Sequence, residues 1–78
     1  MQSIEERIEK DIHMFDEGVT EFNGMELDAT EQEVLSSAKN YRKDAAAWLE
    51  RKDIYTAFAS ISYAHGLLDA LRRLAKKR

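Results

Sequence analysis

Three times along this chain apolar residues recur at spacings of three and four, and no proline interrupts them. That period marks one buried stripe on an α-helix. The first stripe is Ile4, Ile8, Ile12, Phe15, Val19 and Phe22. The second is Val34, Ala38, Tyr41, Ala45 and Trp48, widened by Leu35 and Leu49, at the seam spacing of left-handed bundles. In the third, Ile54, Ala57, Phe58, Ile61, Ala64, Leu68, Leu71 and Ala75 share one broad face. None of the segments alternates with period two, so strands are excluded.

A chain of 78 residues holds one domain, residues 1–78, around one core. The stripes predict helices over 3–22, 30–50 and 54–76, each roughly 30 Å long at 1.5 Å per residue. Near-equal lengths and short links predict an all-α fold, an antiparallel three-helix bundle. Ser3 and Glu6 have the spacing of a capping box. Gly18 costs its helix about 1 kcal/mol relative to alanine, yet Val19 and Phe22 stay in phase, so the helix is expected to run through it. Asn23-Gly24 signals the break, and Met25-Glu26-Leu27 is expected to fold back over one end of the core. Thr30 and Glu33 form a second capping box, with Asp28 and Glu31 as a competing one. Asp53 is placed to cap the third helix.

Charge divides the chain unevenly. Residues 1–33 carry eleven acids against Arg7 and Lys10, a net of −9; residues 34–78 carry ten bases against four acids, a net of +6. The acidic helix is expected to lie beside the basic ones and neutralise them. The concentrated bases Arg72, Arg73, Lys76, Lys77 and Arg78 suit a helix C-terminus. They also leave open a nucleic-acid contact, although a run this short makes few phosphate contacts. The N-terminus has neither a basic start nor an apolar core of a secretory signal. The longest weakly charged run, Tyr55 to Leu71, is too short for an ordinary membrane span. A cytoplasmic protein without a membrane partner is the expectation.

The third helix has more apolar circumference than one core face needs. Leu67 and Leu74 lie off its core arc, Tyr63 faces almost the opposite way, and Ala59, Ser62, Gly66 and Ala70 form a strip of small residues. Two readings follow. Either the helix uses two faces against its two neighbours, with a close approach at Gly66, or the surplus marks a homo-oligomer or protein-partner surface. A chain this short gains much from self-association.

Candidate chemistry is sparse. His65 and Asp69 stand four apart and are placed to touch, and with Asp44 from the second helix they are the best candidates for ligand or metal contact. The plainer reading is a half-buried histidine satisfied by Asp69. His13 falls opposite the apolar stripe, and Asp16, Glu17 and Glu21 make an acidic cluster of the kind exposed faces carry. Tyr41, Asp44 and Trp48 share a region of the second helix, as a core seam with a polar edge or as an aromatic box. Tyr55 and Tyr63 lie off the core arc, where they are able to stack a base. The chain has no cysteine, which excludes disulfides, zinc fingers and thiol catalysis. It also lacks a phosphate loop, a His-Glu-x-x-His helix and a Gly-x-Ser-x-Gly elbow. No enzyme, cofactor or metal centre is expected.

The second half carries a resemblance. Tyr41-Arg42-Lys43-Asp44-Ala45, Trp48 through Asp53, and the block Tyr63-Ala64-His65-Gly66-Leu67-Leu68-Asp69-Ala70 resemble the small archaeal "domain of unknown function 357" family over residues 36–74. The first helix resembles it only in length and amphipathic character. The resemblance implies a stand-alone, spectrin-repeat-like three-helix domain with no assigned activity. It also implies a polar motif of Tyr41, Asp44, Asp53, Tyr63, Gly66 and Asp69. The end Ala75-Lys76-Lys77-Arg78 departs from relatives, which often finish in apolar or glycine-containing residues.

Overall fold

A computed structural model of the chain describes residues 2–76. Three helices appear: α1 (Ile4–Val19), α2 (Ala29–Glu50) and α3 (Ile54–Lys76), with a 3-10 turn over Thr20–Phe22 closing α1. They form an all-α three-helix bundle of 40 × 22 × 17 Å. Contacts between helices fix their directions. Asp11 of α1 meets His65 of α3, and Glu21 meets Arg72, so α1 and α3 run parallel. Asp16 meets Arg42 and Glu5 meets Lys52, so α2 runs against both. Those pairs also answer the charge asymmetry: acids of the first segment neutralise bases of the other two.

Alanine sets the spacing of the bundle. Ala38 and Ala45 of α2 and Ala57 and Ala64 of α3 are completely buried, and these two helices approach each other most closely. Larger side chains separate α1 from the pair. Its Ile8, Ile12 and Phe15 are buried in one cluster with Ile61, Leu68 and Leu71. Burying each such side chain stabilises the fold by about 1.5–3 kcal/mol.

The caps are mostly those the sequence predicts. Ser3 Oγ accepts from the Glu6 amide at 3.1 Å, and Glu6 Oε1 accepts from the Ser3 amide at 3.2 Å. Asp53 caps α3, with Oδ1 accepting from the Thr56 amide and Oδ2 from the Thr56 hydroxyl. At α2 the expected Thr30 start is corrected to Asp28, whose Oδ1 accepts from the Glu31 amide at 2.8 Å while Glu31 returns the bond at 3.0 Å. The earlier start turns Leu27 onto the core, and Gln32 donates to the Leu27 carbonyl. Met25 stays half exposed, so Leu27 alone of the Met25-Glu26-Leu27 segment packs on the core. Between α2 and α3 the amides of Lys52 and Asp53 donate to the carbonyls of Leu49 and Trp48. This is a Schellman closure, and it holds Lys52 at φ +66, a conformation that ordinarily favours glycine.

Gly18 corrects a second expectation. The helix runs through it as far as Val19 before tightening into the 3-10 turn. A Cβ at Gly18 would lie 2.5 Å from Arg72 Nη2 and 2.9 Å from Leu68 Cδ2. The close approach therefore occurs at Gly18, between α1 and α3. At Gly66, where the sequence suggested it, no neighbouring helix among the described residues comes within 4 Å of an added Cβ.

Candidate interaction surface

The polar candidates of the sequence do not converge. His65 is half-buried and points at α1: its Nε2 lies 2.8 Å from the Asp11 carbonyl oxygen, and its ring meets Phe15 edge-on at 5.8 Å. A backbone acceptor thus takes the contact expected of Asp69. Asp69 instead accepts from Arg72 Nη1 at 2.6 Å, while Arg72 Nε donates to Glu21 at 2.8 Å. The Glu21 bond pushes the Arg72 pKa up, opposed by burial and helped by Asp69. Arg42 similarly holds Asp16 below its ordinary pKa through a two-point contact, burial pulling the other way. Asp44 is exposed on α2. Among the described residues no three histidine, aspartate or glutamate side chains gather to hold a metal ion.

The aromatic residues divide differently. Tyr41 and Tyr63 stack across α2 and α3 with ring centroids 4.5 Å apart and a 43° tilt. Trp48 is partly buried against the core, and the Arg51 guanidinium lies 5.1 Å from its ring centroid. Leu67, partly buried, packs against the core. Of the surplus of α3, Leu67 is thus used within the bundle, while Tyr63 stays 56% exposed beside Tyr41.

Further apolar side chains of α3 are exposed. Tyr55 is 91% exposed, Phe58 42% and Leu74 46%, and Ile4 of α1 joins them at 58%. Ile54, Tyr55, Phe58 and Ile4 line an open apolar groove at the end of the bundle where α1 and α3 begin. The sequence stripe placed Ile4 and Phe58 in the core, which the structure corrects. Phe58 sits at the edge of the core arc on the α1 side, 42% exposed. A second groove, lined by Gly66, Asp69, Ala70, Arg73 and Leu74, runs along the other half of α3.

At the basic end, Arg72 is committed to Glu21 and Asp69. Arg73 and Lys76 are exposed, and Lys77 and Arg78 lie outside the described residues. Among the described residues no helix is long and apolar enough to cross a membrane.

A comparison with curated proteins gives no match. The family comparison does: the family described as "Protein of unknown function (DUF357)" matches residues 8–76, taking in α1 from Ile8 onward as well as the 36–74 stretch whose motifs carry the resemblance. By that match, which covers most of its length, the chain belongs to the DUF357 family.

Proposed function

We propose that this protein is a small helical interaction module that self-associates through α3. The observation that carries the reading is the exposed apolar surface of Tyr55, Phe58 and Leu74 on that helix, extended by Ile4. Exposed apolar side chains along one helix of a small domain are favourable to cover, at about 25 cal/mol for each Å² removed from water. A domain of this size buries a modest share of its surface by itself, so a second copy adds stability that the fold can use. The reading places the module in the cytoplasm, where a chain without cysteine is indifferent to reducing conditions. The archaeal setting and the spectrin-repeat-like arrangement belong with it, the latter supported by the up-down-up order of three helices.

The other two roles have less support. Nucleic-acid binding rests on Arg73, Lys76, Lys77 and Arg78 alone, because Arg72 is neutralised by two acids. A ligand or metal site at Asp44, His65 and Asp69 lacks the convergence it requires.

Sedimentation equilibrium at increasing protein concentration tests the proposal. Wild type should be dimeric, and Tyr55→Glu with Leu74→Lys should sediment as a monomer with unchanged helical circular dichroism. A wild type that stays monomeric at hundreds of micromolar refutes self-association.

A further inference from the structure

We infer that Tyr41 and Tyr63 form an oxidative modification site, where a one-electron oxidant such as a high-valent metal complex or an oxygen-centred radical couples the two rings into a dityrosine that ties α2 to α3. The rings meet across the two helices with centroids 4.5 Å apart and planes tilted by 43°. Neither is sealed in the core, since Tyr41 is 38% exposed and Tyr63 56%. Oxidant and water therefore reach both phenols while the bundle stays folded. The site lies within one chain and stands whether or not copies associate.

The coupling balances on the two side chains and the oxidant. Each phenol gives one electron to the oxidant and its hydroxyl proton to water, which leaves two phenoxyl radicals. The unpaired spin of such a ring is shared between the oxygen and the ortho and para carbons. The para carbon carries the chain, so an ortho carbon of one ring bonds to an ortho carbon of the other. The hydrogen on each of these carbons then moves to the ring oxygen as a proton, which restores both aromatic rings and both hydroxyls. In sum, one carbon–carbon bond forms, the oxidant takes up two electrons, and the chain loses two hydrogen atoms.

Contact singles out this pair. Two radicals already held together couple without a diffusional encounter, the advantage of a unimolecular step over a bimolecular one. The centres of two directly bonded six-membered rings stand at nearly the separation seen here, so the rings need to slide past each other while the helices stay in place. Tyr55, the remaining tyrosine, lies eight residues before Tyr63 on α3, about 12 Å away along the axis at 1.5 Å per residue. The chain also has no cysteine, whose thiol would quench a phenoxyl radical by giving up its hydrogen. The new bond closes a loop through the α2–α3 connection and restricts the unfolded chain, as a disulfide does.

The test is a brief exposure of the protein, at a concentration where it is monomeric, to ruthenium(III) tris-bipyridyl generated by light and persulfate. The product should be a monomeric chain with dityrosine fluorescence. Trypsin should release from it residues 40–42 joined to residues 53–72, with the joined mass short by two hydrogen atoms. Tyr55→Phe should leave that product in place. Tyr41→Phe and Tyr63→Phe, which keep a ring at each position and with it the fold, should each abolish it. In urea the yield of joined peptide should fall by roughly tenfold, because the contact is lost. A joined peptide that survives in Tyr41→Phe or disappears in Tyr55→Phe overturns the site. So does a yield in urea equal to that of the folded protein, or a chain whose methionines oxidise while no joined peptide forms.

Discussion

The same substitution should have opposite effects at two helical glycines of this protein. Replacing glycine by alanine in a helix gains about 1 kcal/mol from backbone propensity alone. At Gly66 no described residue beyond its own helical turn lies within 4 Å of the new methyl group, so that gain should be realised nearly in full. At Gly18 the methyl group would lie 2.9 Å from Leu68 Cδ2 and 2.5 Å from Arg72 Nη2. Leu68 is fully buried and has no room to retreat. Arg72 can swing away only by giving up its bonds to Glu21 and Asp69. Overpacking costs about 1–3 kcal/mol, and loss of the exposed ion pairs adds up to about 1 kcal/mol. Against the propensity gain, Gly18→Ala should destabilise by about 1–2 kcal/mol. Urea unfolding followed by circular dichroism, at a concentration where the chain is monomeric, measures both variants. With a slope of about 1 kcal/mol/M for a small domain, the midpoint should fall by about 1–2 M for Gly18→Ala and rise by about 1 M for Gly66→Ala. A Gly18→Ala midpoint at or above wild type would refute the close approach of α1 to α3.

Two further outcomes follow from local geometry. Lys52→Gly should stabilise by about 1 kcal/mol in the same assay, because the left-handed backbone at Lys52 costs about 1–2 kcal/mol for a residue with a Cβ and its exposed ion pair with Glu5 offsets little. Asp16 is a carboxylate whose folded pKa lies below its ordinary 3.8, so its stabilisation is complete above that pH and is lost as pH falls toward the folded value. Wild type should therefore lose its advantage over Asp16→Asn between neutral pH and pH values below about 4, and a difference unchanged across that range would count against the Arg42 contact.

Local signals carried the helices, and contacts between helices lay beyond them. The Ser3–Glu6 box, the Asp53 cap and the α3 stripe are readable because each depends on residues a few positions apart. Two overlapping boxes at the start of α2 had equal local merit; packing of Leu27 on the core favours Asp28. The partner of His65 is a backbone carbonyl 54 residues away, which spacing rules do not see. Gly18 and Gly66 look alike as interruptions of a helical pattern. Only the position of the neighbouring helix separates the glycine that fits a crossing from the one that faces outward. Ile4 and Phe58 keep the core period yet are exposed, because periodicity says which way a side chain faces and not where the opposing helix ends.

The alanine seam between α2 and α3 also bears on how the chain assembles. These helices adjoin in sequence, and a connection of three residues carries the chain from one to the other, so the pair closes at a small cost in loop entropy. Its contacts are the most local between any two helices, the kind that form early. The first helix then docks onto a hairpin already in place, held by three large side chains and a few exposed ion pairs. Opening should run in reverse, with amide hydrogens of α1 exchanging with solvent ahead of those along the hairpin.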